Sequence, residues 1–281
     1  MERRPGCQWK RIVAFVHAQG AAVGMQLAHA GRKASTKVPW LGRGPVEPVD
    51  GGWQTVAPSP LGYADWPTPK ELTTQDIGDI VRAFAVAAAR ADRARFDVIE
   101  LHAAHGYLLH QFLSPLTNHR ADGYGGDLAG RSRILLEVAD AVRAVWPERK
   151  PVFVRVSASD WVAGGWDVGE TVELARVLVG QGVDLIDVSS GGLVPEQQVT
   201  AGPGYQVPFA RAVREGSGLP VAAVGMITEP EQAEQILSEG SADAVLLARA
   251  LLREPAWPLR AAFELGVDVA WPPQYLRGAW T

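Results

Sequence analysis

The residues best suited to chemistry are two histidines and a tyrosine in the run His102-Ala-Ala-His105-Gly-Tyr107. The two imidazoles are three positions apart, so they lie on one side if the chain turns helically there. Each imidazole can offer an N–H donor. Two donors on one carbonyl oxygen would stabilise an enolate, and the phenol could supply a proton. A metal pair or two structural histidines stay open, although a metal would need a further ligand and none is obvious at close spacing.

Short apolar runs place these residues at the end of a predicted strand. Several of the runs are rich in β-branched residues, which is typical of buried parallel strands. They cover residues 23–27, 98–101, 152–156, 185–188, 221–224 and 244–247. Helical patterns cover residues 9–19, 75–95, 131–145, 170–180, 209–215 and 230–239. His102 therefore follows directly after the second predicted strand.

This alternation indicates a parallel sheet covered by helices. A doubly wound sheet would carry a glycine-rich dinucleotide motif after its first strand, and none stands there. A barrel carries its catalytic groups at strand C-termini, where the polar residues of this chain lie. We therefore predict one α/β domain over residues 1–281, a (β/α)8 TIM barrel whose first two strands are missing from this chain. Residues 30–73, rich in Pro, Gly and Trp, are predicted to be a lid or side excursion at the catalytic face.

Composition narrows the partners and the compartment. A net charge of −4 without a basic run gives no reason to expect nucleic acid. The one cysteine, Cys7, forms no intrachain disulfide and cannot supply an iron–sulfur cluster, which fits a reducing compartment. Residues 12–30 are interrupted by histidines and glutamines and are too polar for a secretory core or a membrane span. We expect a cytoplasmic protein with no membrane partner.

The run from His102 to Gly126 closely resembles the characteristic motif of old yellow enzymes, most of all their thermophilic-like class. Further short matches to that family follow in the family's order, from about residue 8 to the C-terminus. They are Gln26 to Arg32, Phe153 to Asp160, Val188 to Gly192, Ala223 to Ile227 and Ala248 to Pro255. Each match is weak alone, but together they are specific. The resemblance implies an eight-stranded barrel that holds FMN noncovalently.

The resemblance also assigns residues to the flavin ring. Gln26 matches the amide that hydrogen-bonds the pyrimidine part of the flavin, and Gly191 falls within the cofactor site. Arg155 matches an arginine near flavin N1 and O2, where a cation stabilises the anionic reduced flavin. A buried ion pair is the other explanation for Arg155. Because an arginine inside an apolar strand needs some anion, we favour the flavin.

The phosphate of FMN would lie after the last two strands. Gly225, Met226, Ala248 and Arg249 match that site, where glycine permits close approach, backbone N–H groups cradle the phosphate and arginine pairs with it. Family members often have glycine where Ala248 stands, a change that a backbone N–H contact survives. On position alone, these residues would also suit ordinary turns between strands and helices.

The implied reaction is ping-pong. NADPH or NADH reduces FMN and leaves, and an activated alkene such as an enone then receives hydride at its β-carbon. His102 and His105 would hold the carbonyl oxygen and Tyr107 would protonate the α-carbon, with no metal required. Arg277 matches an arginine that reaches the neighbouring subunit's active site, which implies a homodimer or homotetramer with Arg277 among the substrate-binding residues.

The beginning of the chain departs from the family. Residues 1–7 resemble nothing in it, and the two expected strands would carry further flavin contacts. An open sheet edge weakens binding and invites association. The alternative function is therefore a non-catalytic, truncated remnant with impaired FMN binding. A dienoyl-CoA-reductase-like fusion is disfavoured by the single cysteine and the absence of extra domains.

Overall fold

A computed structural model describes residues 5–42 and 44–280. Residues 1–4, 43 and 281, and the side chains of residues 5–7, Cys7 among them, lie outside the described residues. The described strands and helices alternate along most of the chain. The strands are β1 Gly24–Leu27, β2 Val56–Ala57, β3 Lys70–Glu71, β4 Val98–Ala103, β5 Val152–Ser157, β6 Leu185–Ser189, β7 Val221–Val224 and β8 Ala244–Leu246. The helices are α1 Pro5–Ala18, α2 Thr74–Arg93, α3 Leu108–Leu113, α4 Leu128–Arg143, α5 Val168–Val179, α6 Val207–Ser217, α7 Pro230–Ser238, α8 Arg249–Arg253 and α9 Trp257–Glu264.

The main sheet has six parallel strands in the order β1-β4-β5-β6-β7-β8. Each of these six strands pairs with the next of the six along the chain, so the strand order never reverses. A doubly wound sheet has a reversal, where its two halves meet. The consecutive order is that of a (β/α)8 barrel, and the predicted fold class is confirmed. The described part of the chain supplies six of the barrel strands.

The apolar runs located these six strands to within a few residues, because the strands are buried on both faces. Ile99, Leu101, Val154 and Val156 are almost completely buried between the sheet and its helices. The side chains between them point into the barrel and are polar, including His102. Parallel pairing sets His102 beside Arg155 in the register of β4 and β5.

Helix α2 shows how local sequence sets an element boundary. Thr73 accepts a hydrogen bond from the Asp76 N–H, and the Asp76 carboxylate accepts one from the Thr73 N–H. This capping box satisfies two donors that a helix start leaves without partners. The box ends the long segment between β1 and α2 and starts the helix at Thr74, one residue before the start at residue 75 that the apolar pattern predicted.

Residues 30–73 form an irregular segment with three short 3₁₀ turns and the small β2–β3 pair. It does not stand apart from the barrel. Arg32 is 4% exposed, and its guanidinium donates to the carbonyl oxygens of Leu61, Gly62 and Leu193. The bond to Leu193 ties the segment to the loop that follows β6, and the other two hold the segment together.

Core packing behind β4 predicts a large stability effect for Leu101→Ala. Leu101 is 0% exposed, and removing a buried leucine side chain costs about 2–5 kcal/mol. The control is Leu252→Ala, since Leu252 is 83% exposed and such surface changes stay within about 0.5 kcal/mol. Urea unfolding of both variants measures the difference. Equal free energies of unfolding would contradict this assignment of the core.

Candidate active site

The turn after β4 gathers the predicted catalytic side chains. The rings of His102 and His105 lie 5.1 Å apart between centroids, and Tyr107 lies 5.1 Å from His102. A helical turn is expected here from the sequence, and that prediction is wrong. His105 and Gly106 both have left-handed backbones, at φ 58° and 71°. This reversal folds the His105 ring back towards His102.

Tertiary hydrogen bonds hold His105 in a conformation that side chains other than glycine rarely adopt. Its N–H donates to Ser157 Oγ at 2.9 Å, and Ser157 in turn donates to the carbonyl oxygen of Gly191 at 2.8 Å. Next to it, a Cβ on Gly106 would overlap the carbonyl oxygen of Gly192. The loops after β4, β5 and β6 therefore lock against one another at the carboxyl edge of the sheet.

A partly buried lysine from the long segment, Lys33, bridges two of these loops. The Lys33 ammonium donates to the carbonyl oxygen of His105 at 3.0 Å and to that of Gly192. It lies 4.3 Å from the centre of the Tyr63 ring, a cation–π distance. Burial, with a smaller contribution from Arg32, lowers the pKa of Lys33 to about 8. Residues 30–73 thus contribute directly to the geometry of the histidine turn.

The two imidazoles differ in their partners. In the described part of the chain, His102 Nδ1 is buried and has no hydrogen-bond partner. The His105 Nε2 atom lies 2.8 Å from Ser189 Oγ. Buried polar atoms normally have partners, so the unpaired His102 nitrogen indicates a place for a polar ligand atom.

Charged side chains fill the barrel interior beneath the histidines. Arg155 Nε lies 3.1 Å from the buried Asp187 carboxylate, which is the anion that the apolar strand around Arg155 requires. Gln26, the predicted flavin amide, donates to Glu100 at 2.5 Å across β1 and β4. Burial raises the pKa of Asp187, and the Arg155 guanidinium opposes that rise. The ion pair meets the need for an anion, and flavin contacts of Arg155 and Gln26 stay predictions.

The interior cation also acts on the imidazoles. Burial, followed by repulsion from Arg155, lowers the pKa of His102 to about 4 and that of His105 to about 3. Both rings are therefore neutral at pH 7. A neutral imidazole keeps one N–H donor and one acceptor nitrogen.

A cavity of about 270 Å³ lies at the ends of β7 and β8. Its lining includes all four predicted phosphate residues, Gly225, Met226, Ala248 and Arg249. Gly225 has φ 118°, and a Cβ there would meet side-chain atoms 2.6 Å and 2.9 Å away. Arg249 lines the same cavity, and an arginine is chemically suited to pair with a phosphate. The residues present therefore fit the phosphate end of FMN.

Two predicted residues have other surroundings. The Gly191 N–H donates to the Ser159 carbonyl oxygen at 2.8 Å, so its backbone serves the loop contacts described above. Arg277 lies exposed in the 3₁₀ helix Pro273–Gly278. Among the described residues, no hydrogen bond or ion pair joins it to the other predicted site residues.

Sequence reasoning gave no role to several residues that build the site. Lys33, Ser157 and Ser189 hold the turn, and a buried His110–Asp160 pair lies beneath it at 2.9 Å. A histidine inside the apolar run Leu108–Leu113 is the one signal that singles out His110. The other contacts join residues far apart in the chain, which spacing alone does not reveal.

Comparison with known proteins identifies the class. Residues 7–267 match the NADH:flavin oxidoreductase / NADH oxidase family. The chain is 50% identical over 268 residues to an NADPH dehydrogenase of Geobacillus thermodenitrificans (strain NG80-2), covering 95% of this chain and 74% of that protein. It is 46% identical over 269 residues to an NADPH dehydrogenase of Bacillus subtilis (strain 168), with the same two coverages of 95% and 74%. The structure of morphinone reductase matches with a TM-score of 0.75 at 29% identity, over 96% of this chain and 72% of that one.

The barrel and these matches define a flavin-dependent oxidoreductase. The chain belongs to the NADH:flavin oxidoreductase / NADH oxidase family, which is the old yellow enzyme family. Its cofactors are FMN and NAD(P)H. Among the described helices, none combines the length and the apolar character that a bilayer crossing needs.

Neutral, buried histidines predict a pH effect on stability. Their folded pKa values lie below the ordinary 6.5, so the unfolded chain binds more protons as the pH falls from 6.5 towards 4 and the folded state loses stability. A His102→Asn, His105→Asn double variant should lose less stability than the parent between pH 7 and pH 5. Urea unfolding at both pH values measures this. Identical losses in the two proteins would refute the assignment.

Proposed function

We propose that this chain is an ene-reductase that reduces the C=C bond of α,β-unsaturated carbonyl compounds with NADPH or NADH. The observation that carries the proposal is the convergence of two neutral imidazoles and a phenol at the carboxyl edge of the barrel. Neutral donors suit a carbonyl oxygen, which carries only partial charge in the ground state and gains charge as the enolate forms. FMN, when bound, supplies the hydride chemistry.

The hydrogen bonds around the rings support their role as donors. His102 Nδ1 is buried without a partner in the described chain. For His105 to offer Nδ1–H to a ligand, its Nε2 must be the acceptor nitrogen. Ser189 Oγ, 2.8 Å away, can donate its one hydrogen to that nitrogen in place of the longer 3.3 Å bond to Gln206 Oε1. Ser189 would then select the His105 tautomer that leaves a donor free for the carbonyl oxygen.

Tyr107 is the proposed proton donor. It begins α3 at the N-cap position, and its ring lies edge-on to His102. A phenol held beside the oxygen-binding pair is close to the α-carbon of a conjugated carbonyl compound. In general-acid catalysis the proton donor must first lie within reach of the atom it protonates, and only then does its pKa matter.

For the cofactor, we propose that Gln26, Arg155 and Gly191 contact the flavin ring system. Gly225, Met226, Ala248 and Arg249 would hold its phosphate. The cavity at the ends of β7 and β8 supports the phosphate assignment. The Arg155 side chain is 23% exposed, so it has surface left for a second anion besides Asp187.

We further propose a homodimer or homotetramer in which Arg277 contributes to the neighbouring subunit's substrate site. Tyr275 and Leu276, on the same 3₁₀ helix, are 66% and 58% exposed. Apolar side chains exposed together are common at subunit contacts. The single cysteine supports a cytoplasmic location.

The test is to purify the chain, load it with FMN and follow NADPH oxidation with cyclohexenone, identifying the saturated ketone as product. His102→Ala combined with His105→Ala should abolish binding of phenol ligands, because both donors are lost, while FMN binding is kept. His119→Ala, an exposed histidine elsewhere, is the control and should match the parent. Absorbance titration with p-hydroxybenzaldehyde measures ligand binding.

Two outcomes would count against this function. Phenol binding that survives in the double variant would remove the role of the histidine pair. A parent chain that takes up no FMN and oxidises no NADPH would favour the non-catalytic remnant instead.

A further inference from the structure

A fully buried pair, His110 and Asp160, lies behind the histidine turn without belonging to it. Both residues are 0% exposed. His110 Nε2 lies 2.9 Å from Asp160 Oδ1, and the other ring nitrogen, Nδ1, accepts the Gly106 N–H at 2.9 Å. His110 therefore connects a buried carboxylate to the backbone between His105 and Tyr107.

The direction of these bonds fixes the tautomer of His110. A backbone N–H can only donate, so Nδ1 must carry no hydrogen. The ring hydrogen of the neutral imidazole is then on Nε2, facing the carboxylate. The ionised Asp160 carboxylate attracts it across the 2.9 Å contact, although Nε2 and Oδ1 are not aligned as a hydrogen bond. This arrangement resembles the way that a carboxylate orients a histidine in many sites.

Asp160 is itself held by two further donors. Its Oδ2 accepts from Ser114 Oγ at 2.6 Å and from the Trp166 N–H at 2.7 Å. Burial alone would raise its pKa, but the contact with His110 and the hydrogen bonds from Ser114 and Trp166 outweigh that effect and keep the pKa below its ordinary value. Because the Trp166 N–H can only donate, an oxygen atom is required at the Oδ2 position.

We propose that His110 and Asp160 are positioning residues that hold the Gly106 amide and thereby fix the orientation of His105 and Tyr107. The carboxylate acts through the imidazole, and neither residue contacts the substrate. The claim about binding rests on the proposed function, whereas the claim about the turn does not.

Asp160→Asn tests this with almost no change of shape. The Trp166 N–H keeps the amide oxygen at the Oδ2 position, so the amide NH₂ must face His110 Nε2. Two donors then oppose each other at Nε2, and we expect His110 to move its hydrogen to Nδ1, where it faces the Gly106 N–H. In that tautomer it can no longer accept the Gly106 N–H.

The readouts are the His110 tautomer, from ¹⁵N NMR of the imidazole, and p-hydroxybenzaldehyde affinity of the FMN-loaded protein. We expect the tautomer to change and the affinity to fall roughly tenfold, as for one lost hydrogen bond, with FMN affinity unchanged. Ser114→Ala is the matched control, since it removes a bond to the same carboxylate but leaves the His110 contact. It should keep both the parent tautomer and the parent ligand affinity.

A folded Asp160→Asn protein that keeps the parent tautomer, or keeps the parent affinity after the tautomer has changed, would overturn the proposal. If Asp160→Asn does not fold, the His110 tautomer is measured by ¹⁵N NMR in the parent protein. A hydrogen on Nδ1 there would contradict the proposal, and a hydrogen on Nε2 would support it. If the parent binds no phenol, the proposed function fails, and the tautomer change in Asp160→Asn alone then decides the positioning claim.

Discussion

The site depends on hydrogen bonds to three successive backbone amides. The His105 N–H donates to Ser157, the Gly106 N–H to His110 and the Tyr107 N–H to the Ala104 carbonyl oxygen. A left-handed backbone at a residue with a side chain costs about 1–3 kcal/mol and persists only where the surroundings over-determine it. These bonds supply that constraint, and they come from β5, from α3 and from the turn itself.

The rest of the site follows from where this turn lies. Consecutive parallel strands bring their carboxyl ends to one edge, so the loops after β4, β5 and β6 meet there. Lys33 crosses from the long segment to bind the carbonyl oxygens of two of these loops. Behind the turn, repulsion from Arg155 in the barrel interior adds to the effect of burial, and both lower the pKa values of His102 and His105 so that the two imidazoles are neutral. Packing and electrostatics thus favour the same state, in which neutral donors are held in place before any ligand arrives.

The sequence was enough to predict the barrel and the place where two histidines and a tyrosine converge. Strands buried on both faces leave continuous apolar runs, and the helix start at Thr73 has a recognisable cap. The histidine spacing correctly suggested convergence, but the helical turn expected there was wrong. Left-handed geometry at His105 arises from contacts with Ser157, Gly192 and Lys33, which no local pattern encodes.

Long-range partners were hidden for the same reason. Arg155 in an apolar strand indicated the need for an anion, yet nothing local pointed to Asp187 on the neighbouring strand. His110 and Asp160 stood within matched motifs without an evident role until the fold placed them 2.9 Å apart. A polar residue in a buried run indicates that a partner exists, but the fold is needed to identify it.

Amide hydrogen exchange in the ligand-free protein tests the central claim most directly. If the turn is held in advance, the amides of His105, Gly106 and Tyr107 should exchange as slowly as those in the buried core of α4, although they lie in a loop. Exchange of these three amides at the rate of an unstructured peptide would contradict the account, because it would mean that the turn forms only when a ligand binds.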